Sequence, residues 1–129
     1  MIVKSLDHLN LISKKISDFL SKKDCIFLIG EIGVGKTTFT RNLINNLQEA
    51  KDLKIMHYDL YRIKESKELN HLGIFSDEHN TIKIIEWPDL IKTPLKDKLE
   101  IYLNYAASDD EREMKIVGFG KWKNFENEL

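Results

Sequence analysis

The sequence has one cysteine, two prolines and no long apolar run, and each shortage excludes a class of protein. A single cysteine, Cys25, cannot build a disulfide framework and favours a reducing cytoplasm. The longest near-apolar stretch, residues 25–29, is far shorter than the ~20 residues of a membrane helix. The N-terminus shows no signal-peptide pattern. We therefore expect a cytoplasmic protein with no membrane segment.

Neither positive nor negative charge dominates the sequence, because 20 basic and 21 acidic side chains leave a formal net charge of −1. Bulk charge thus gives no indication of a nucleic-acid platform. The length of 129 residues, with 42% hydrophobic and 32% charged residues, is typical of one globular unit. We expect a single domain over residues 1–129.

Hydrophobic spacing predicts an alternation of helices and strands. Ser5 is suited to cap a helix over residues 6–20, where leucine and isoleucine recur at helical spacing. The apolar run 25–29 predicts a strand that is buried on both faces of a sheet. The remaining predictions are a helix over 37–48, strands over 53–60 and 82–87, a helical turn over 65–72, an antiparallel hairpin of 99–105 with 113–119 at the end of the sheet, and a short helix or loose tail over 122–129.

Residues 30–37 read Gly-Glu-Ile-Gly-Val-Gly-Lys-Thr and match the whole phosphate-binding pattern G-x-x-x-x-G-K-[ST]. The motif lies between a predicted buried strand and a predicted helix, which is the context that the pattern requires. Its glycines allow a tight turn whose N–H groups hold a di- or triphosphate at a helix N-terminus. We expect an α/β fold of the P-loop NTPase kind, with three layers, a mainly parallel sheet and a C-terminal antiparallel hairpin.

Side chains of this loop are expected to hold Mg²⁺ and nucleotide together. Lys36 places a charge at the β- and γ-phosphates, Thr37 ligates the bridging Mg²⁺, and Thr38 adds a hydroxyl near the α-phosphate. No asparagine is followed by lysine, so a guanine-recognition segment Asn-Lys-x-Asp is missing and ATP is favoured. The predicted nucleotide-binding residues are Gly30, Glu31, Ile32, Gly33, Val34, Gly35, Lys36, Thr37 and Thr38.

A Mg-nucleotide site also requires a carboxylate at the end of a neighbouring strand. Asp59 and Glu86 each stand at the carboxyl end of a predicted strand, where ligands bind in open α/β sheets. Either could hold the metal directly or through water. The predicted catalytic residues are therefore Lys36, Asp59 and Glu86.

Several other residues have ordinary structural interpretations. Arg62 could stabilise transition-state charge, although an ion pair with a nearby acid is favoured. Trp87 is expected to pack in the interior, with partner anchoring as the alternative. His57, His71 and His79 have no Cys or His at metal-ligand spacing, so no zinc site is expected.

Four sequence blocks together resemble the TsaE family, also called YjeE. In chain order they are Gly-Glu-Ile-Gly-Val-Gly-Lys-Thr-Thr-Phe-Thr-Arg at 30–41, His-Tyr-Asp-Leu-Tyr-Arg at 57–62, Glu-Leu-x-x-Leu-Gly-Ile at 68–74 and Ile-Ile-Glu-Trp-Pro at 84–88. The resemblance implies an ATPase that works with TsaB and TsaD in making the threonylcarbamoyladenosine modification of tRNA. The near-neutral net charge argues against direct, stable binding of tRNA by this subunit.

The resemblance also implies roles for individual residues. Lys36 and Thr37 become the phosphate and Mg²⁺ contacts, and Glu86 becomes the acidic residue on the metal side. Asp59 helps to position the attacking water. Arg112 matches an arginine near the nucleotide, while Arg62 and Trp87 flank the site or the partner surface.

One departure from the family leaves the function open. The family normally carries a Ser-Pro-Thr-[Phe/Tyr] switch segment and a hairpin before the His-x-Asp-Leu-Tyr-Arg strand, and this sequence has neither Pro nor Thr between Arg41 and His57. Either the protein has lost this segment or the sequence omits a mobile loop, and retention of Asp59 and Glu86 favours omission. We expect a partner-stimulated ATPase. The alternatives are a nucleotide-gated binding module without hydrolysis and, less favoured, a small-molecule kinase.

Overall fold

The computed structural model describes residues 1–48, 53–75, 80–92 and 95–129. Within these residues the chain forms two α-helices, six strands and several short 3-10 helices. The α-helices and strands are β1 Ile2–Val3, α1 Leu6–Phe19, β2 Cys25–Ile29, α2 Lys36–Gln48, β3 Lys54–Asp59, β4 Thr81–Glu86, β5 Lys98–Tyr105 and β6 Arg112–Phe119. The 3-10 helices are Ser66–Leu72, Pro88–Leu90, Gly120–Trp122 and Phe125–Glu128.

The strands form one sheet in the order β1-β6-β5-β2-β4-β3. The contacts of β2 with β4 and β5, and of β3 with β4, are parallel. Strands β5 and β6 form the antiparallel hairpin. The predicted α/β class, the mainly parallel sheet and the C-terminal hairpin are therefore confirmed.

The hairpin is not the end of the sheet, because β1 pairs outside β6 in antiparallel fashion. In this pairing the Met114 N–H donates to the Met1 carbonyl at 2.8 Å. Sequence analysis assigned no strand before residue 6. A strand of two residues carries no readable alternation, so its pairing depends on β6 and not on local pattern.

Each face of the sheet has its own apolar layer. Ile26 and Leu28 of β2 belong to the cluster that also contains the buried faces of α1 and α2. Phe27 and Cys25 belong to the opposite cluster, which loop and 3-10 residues such as Leu69 cover. The sheet thus lies between a helical layer and a layer of loops and 3-10 helices. Burial raises the pKa of the Cys25 thiol to about 12, as befits a core residue.

The ends of several elements confirm local predictions. The Ser5 hydroxyl oxygen accepts a hydrogen bond from the His8 N–H at 3.1 Å and so caps α1. The helical turn predicted over 65–72 is a 3-10 helix ended by Gly73 at φ 71°. Trp122 is fully buried against Phe19 and Phe125. The chain after residue 120 is therefore a docked pair of 3-10 helices and not a loose tail.

Among the described residues, the helices are too short or too polar to traverse a lipid bilayer.

An ion pair between a buried carboxylate and a partly exposed lysine holds the C-terminal segment against the start of β2. The Asp24 carboxylate is 2% exposed, accepts a hydrogen bond from the Ser21 N–H at 2.8 Å and pairs with the Lys121 ammonium. That ammonium also donates to the Ser21 hydroxyl at 2.7 Å and to the Phe19 carbonyl at 3.1 Å. Lys121 therefore satisfies a carboxylate that water does not reach.

Replacing Lys121 with methionine should destabilise the fold, because Asp24 would remain buried without its cation. We expect Lys121→Met to lower the free energy of unfolding by roughly 2–4 kcal/mol. The exposed Lys123→Met is the matched control and should change it by less than about 0.5 kcal/mol. Urea denaturation followed by tryptophan fluorescence measures both, and equal effects of the two variants would contradict this account of Asp24.

Candidate functional site

The loop between β2 and α2 has the backbone conformation that its glycines allow. Gly33 at φ 86° and Gly35 at φ 121° lie in a region that other residues rarely adopt. Gly30 has a different reason to be glycine, since a Cβ atom there would lie 2.4 Å from the Leu103 carbonyl oxygen. The loop therefore rests against β5 at its first residue and turns back on itself at its later ones.

Lys36 opens α2 and points back into this loop. Its side chain is almost completely buried, at 5% exposure for the residue. The ammonium donates to the Gly30 carbonyl and lies 3.9 Å from the centroid of the Trp87 ring. Burial lowers the pKa of Lys36, and the nearby carboxylates of Glu86 and Asp59 oppose that shift.

The two predicted acidic residues lie side by side at the ends of β3 and β4. Strand register pairs Asp59 directly with Glu86. Glu86 is 4% exposed, and its Oε2 lies 2.7 Å from Nε2 of His57. The Asp59 Oδ1 accepts the Tyr61 N–H at 3.1 Å. The carboxylates therefore share one edge of the sheet, and each is held by a polar neighbour.

The contact of His57 with Glu86 was not predicted from the sequence, where histidines were weighed only as metal ligands. The signal was present in the spacing of His57 and Asp59. Two residues that are two apart on a strand project to the same face, so a histidine two residues before a site carboxylate also faces that site.

Most of the predicted residues meet around one cavity of about 380 Å³, which we call the loop cavity. It contains both acidic candidates and Lys36, the predicted catalytic lysine, but Gly30, Glu31, Val34 and Arg112 do not line it. The lining residues are Ile32, Gly33, Gly35, Lys36, Thr37, Thr38, Asp59, Tyr61, Arg62, Glu86 and Trp87.

A second cavity of about 310 Å³ lies on the other side of the same loop and shares Gly33, Gly35 and Thr38 with the first. Apolar side chains of β1 and α1 line it, the turn before β6 contributes Asp109 and Asp110, and β6 contributes its first residue, Arg112. The sequence did not predict this cavity, because its walls come from distant parts of the chain.

Arg112 is fixed by the backbone on the wall of this second cavity. Its Nε donates to the Val34 carbonyl at 2.9 Å, and its Nη1 donates to the carbonyls of Asp109 at 2.7 Å and Glu111 at 2.8 Å. Its guanidinium carbon lies 4.8 Å from the Tyr105 ring centroid. Arg112 therefore supports the loop through the Val34 carbonyl and does not line the loop cavity.

The donors around the loop cavity fit a hard divalent cation that is shared with a ligand. Thr37, Asp59 and Glu86 offer hydroxyl and carboxylate oxygens, which Mg²⁺ prefers. Across the described ranges, no cluster of three or more His, Cys, Asp or Glu side chains could hold a metal ion. Residues of this kind would thus hold Mg²⁺ together with phosphate oxygens, as in nucleotide sites.

Comparison with known proteins identifies the family of the chain. The family model for "Threonylcarbamoyl adenosine biosynthesis protein TsaE" matches residues 3–114. The tRNA threonylcarbamoyladenosine biosynthesis protein TsaE of Rickettsia conorii is 30% identical, with 87% of this chain and 73% of that protein covered. Its counterpart in Bacillus subtilis is 31% identical, with 84% and 78% covered.

Among solved structures, the crystal structure of Bacillus subtilis YdiB superimposes with a TM-score of 0.75 at 25% identity. The superposition covers 99% of this chain and 90% of YdiB. Both the P-loop type of fold and the resemblance stated from the four sequence blocks are confirmed. The chain belongs to the TsaE family.

Proposed function

We propose that this protein is a Mg²⁺-dependent ATPase that acts with TsaB and TsaD in the threonylcarbamoyladenosine modification of tRNA. One observation carries the proposal: a glycine loop with a buried lysine faces two strand-end carboxylates across a single cavity. The family's role in this biosynthesis supports the pathway. Its cytoplasmic location is part of the same proposal.

Binding would begin with the phosphates in the loop cavity. The N–H groups of residues 30–38 and the N-terminus of α2 would hold the phosphate oxygens. The Lys36 ammonium would leave the Gly30 carbonyl and contact the β- and γ-phosphates. The nucleoside would extend past Gly33 and Gly35 into the second cavity, where Arg112 lies on the wall.

Hydrolysis would use the carboxylates at the other side of the loop cavity. Thr37 and Glu86 would hold Mg²⁺, which supplies charge neutralisation at the phosphates when it is bound. Asp59 would accept a hydrogen bond from the attacking water and orient it toward the γ-phosphorus. The new P–O bond forms as the bridge to the β-phosphate breaks, and the protons of the attacking water stay with the released phosphate, which gives ADP and inorganic phosphate. His57 would keep the Glu86 carboxylate in place.

The exposure of the site to solvent supports the proposed dependence on partners. Arg62 and Tyr61 are exposed on its rim, and so is Ile32 at the tip of the loop. A surface of TsaB or TsaD placed on this rim would exclude water and complete the closed state. The near-neutral net charge supports contact with protein and not with tRNA.

A binding module that does not hydrolyse ATP is the second candidate. One feature favours it: α2 ends at Gln48 and β3 begins at Lys54, so only residues 49–53 separate them. A switch segment of the family's kind does not fit in that interval. Residues 49–52 lie outside the described ranges. Measurement of phosphate release, set against nucleotide binding, separates this candidate from the ATPase.

Lys36→Ala should abolish most nucleotide binding, because Lys36 is the only lysine among the described residues that lines the loop cavity. We expect the dissociation constant for Mg·ADP to rise at least ~100-fold, which corresponds to about 2.7 kcal/mol. Isothermal titration calorimetry measures this change. Lys67→Ala is the control, since the Lys67 side chain is 80% exposed and pairs with Glu65. Equal affinities in the two variants would remove Lys36 from the site.

Asp59→Asn and Glu86→Gln should preserve nucleotide binding within a few fold and lower turnover by roughly 10²- to 10³-fold. Both substitutions keep the size of the side chain while removing the charge that orients water or holds Mg²⁺. Phosphate release in the presence of TsaB and TsaD is the measurement, and Glu113→Gln on the exposed side of β6 is the control. Wild-type turnover in both variants would refute these roles.

If the wild-type protein binds ATP and captures its partners without releasing phosphate, then the binding module is correct and the ATPase is not.

A further inference from the structure

The chain has three arginines, and their positions differ in one decisive respect. Arg41 lies on α2, is exposed and lines neither of the two cavities. Arg112 donates to three backbone carbonyls beside the second cavity. Arg62 alone of the three lines the loop cavity, where Lys36 is the other cation.

The backbone around Arg62 is anchored to the strand that carries Glu86. The Leu60 N–H donates to the Glu86 carbonyl at 3.0 Å, and the Ile63 N–H closes a turn by donating to the Leu60 carbonyl at 3.0 Å. Leu60 is buried, and the Tyr61 ring lies 5.1 Å from the Trp87 ring. Arg62 is thus presented from a fixed turn.

Arg62 has no counter-ion in the part of the chain that the structure describes. None of the hydrogen bonds and ion pairs found there involves its guanidinium. The neighbouring carboxylates have other contacts, since Asp59 accepts the Tyr61 N–H and Glu86 contacts His57. The ion pair favoured from sequence is therefore not found among these residues.

We propose that Arg62 is a catalytic residue that binds the γ-phosphoryl oxygens in the transition state, an inference that rests on the ATPase function proposed above. As water attacks and the β–γ bridge breaks, negative charge spreads over these oxygens. A guanidinium presents several N–H donors in one plane and matches such a group with two parallel hydrogen bonds. Lys36 would meet the phosphates from the glycine loop, and Arg62 would meet them from the turn that follows β3.

The test compares a ground-state ligand with a transition-state analogue. We would measure the affinity of wild type, Arg62→Ala and Arg62→Lys for Mg·ADP alone and for Mg·ADP with aluminium fluoride. Arg62→Ala should keep its ADP affinity within about threefold, whereas its affinity for the aluminium fluoride complex should fall at least ~100-fold. Arg62→Lys should recover only a small part of this loss. Arg41→Ala is the matched control and should behave as wild type.

Phosphate release with TsaB and TsaD gives the second readout, and there Arg62→Ala should lose roughly 10³-fold. Unchanged affinity of Arg62→Ala for the analogue would overturn the proposal, as would an equal loss of affinity for ADP and analogue. Loss of partner capture alone, with unchanged analogue affinity, would assign Arg62 to a protein interface and overturn it too. If the wild-type protein binds neither ligand, then the proposed ATPase function itself is wrong. If wild type and Arg62→Ala both bind the analogue tightly, then only the role of Arg62 is wrong.

Discussion

Parallel hydrogen bonding among β2, β4 and β3 is the constraint on which the site depends. In this register Leu28 lies beside Glu86, and Glu86 lies beside Asp59. The carboxyl ends of the three strands therefore meet at one edge, just where the glycine loop leaves β2. Because side chains alternate between faces, a slip of β4 by one residue would send Glu86 into the opposite layer. Burial of Ile82 and Ile84 on the helical face prevents that slip.

Trp87, the residue that follows β4, is part of the lining of the loop cavity. It follows Glu86 at φ 57°, a conformation that costs a residue other than glycine about 1–3 kcal/mol. In this position its ring covers the Lys36 ammonium and packs against Tyr61. The strand ends at Glu86, one residue earlier than predicted, and Pro88 begins a short 3-10 helix. Trp87 was predicted to be a packing residue. In the structure it does pack, and one of the groups it packs against is the Lys36 ammonium.

The sequence predicted those features that local pattern determines. The loop, both α-helices and the strands from β2 onward follow from glycine spacing, caps and alternation of apolar residues. By contrast, the two-residue β1, the contact of His57 with Glu86 and the walls of the second cavity depend on which distant segments pair. The single-domain assignment, the roles of Asp59 and Glu86, and the nucleotide contacts of residues 30–38 remain predictions. The sequence has no Ser-Pro-Thr switch segment between Arg41 and His57, and residues 49–52 of that interval lie outside the described ranges.

The glycines of the phosphate-binding loop are required for two different reasons, and Gly30 is required because it packs against β5. Its neighbours at 33 and 35 are glycines because of backbone angle, but the position at 30 is closed by the Leu103 carbonyl and the Val34 side chain. Any side chain at 30 would push the strand and the loop apart before a ligand ever arrived. A randomised library at this codon, sorted only for folded protein and with no nucleotide in the buffer, would therefore return glycine.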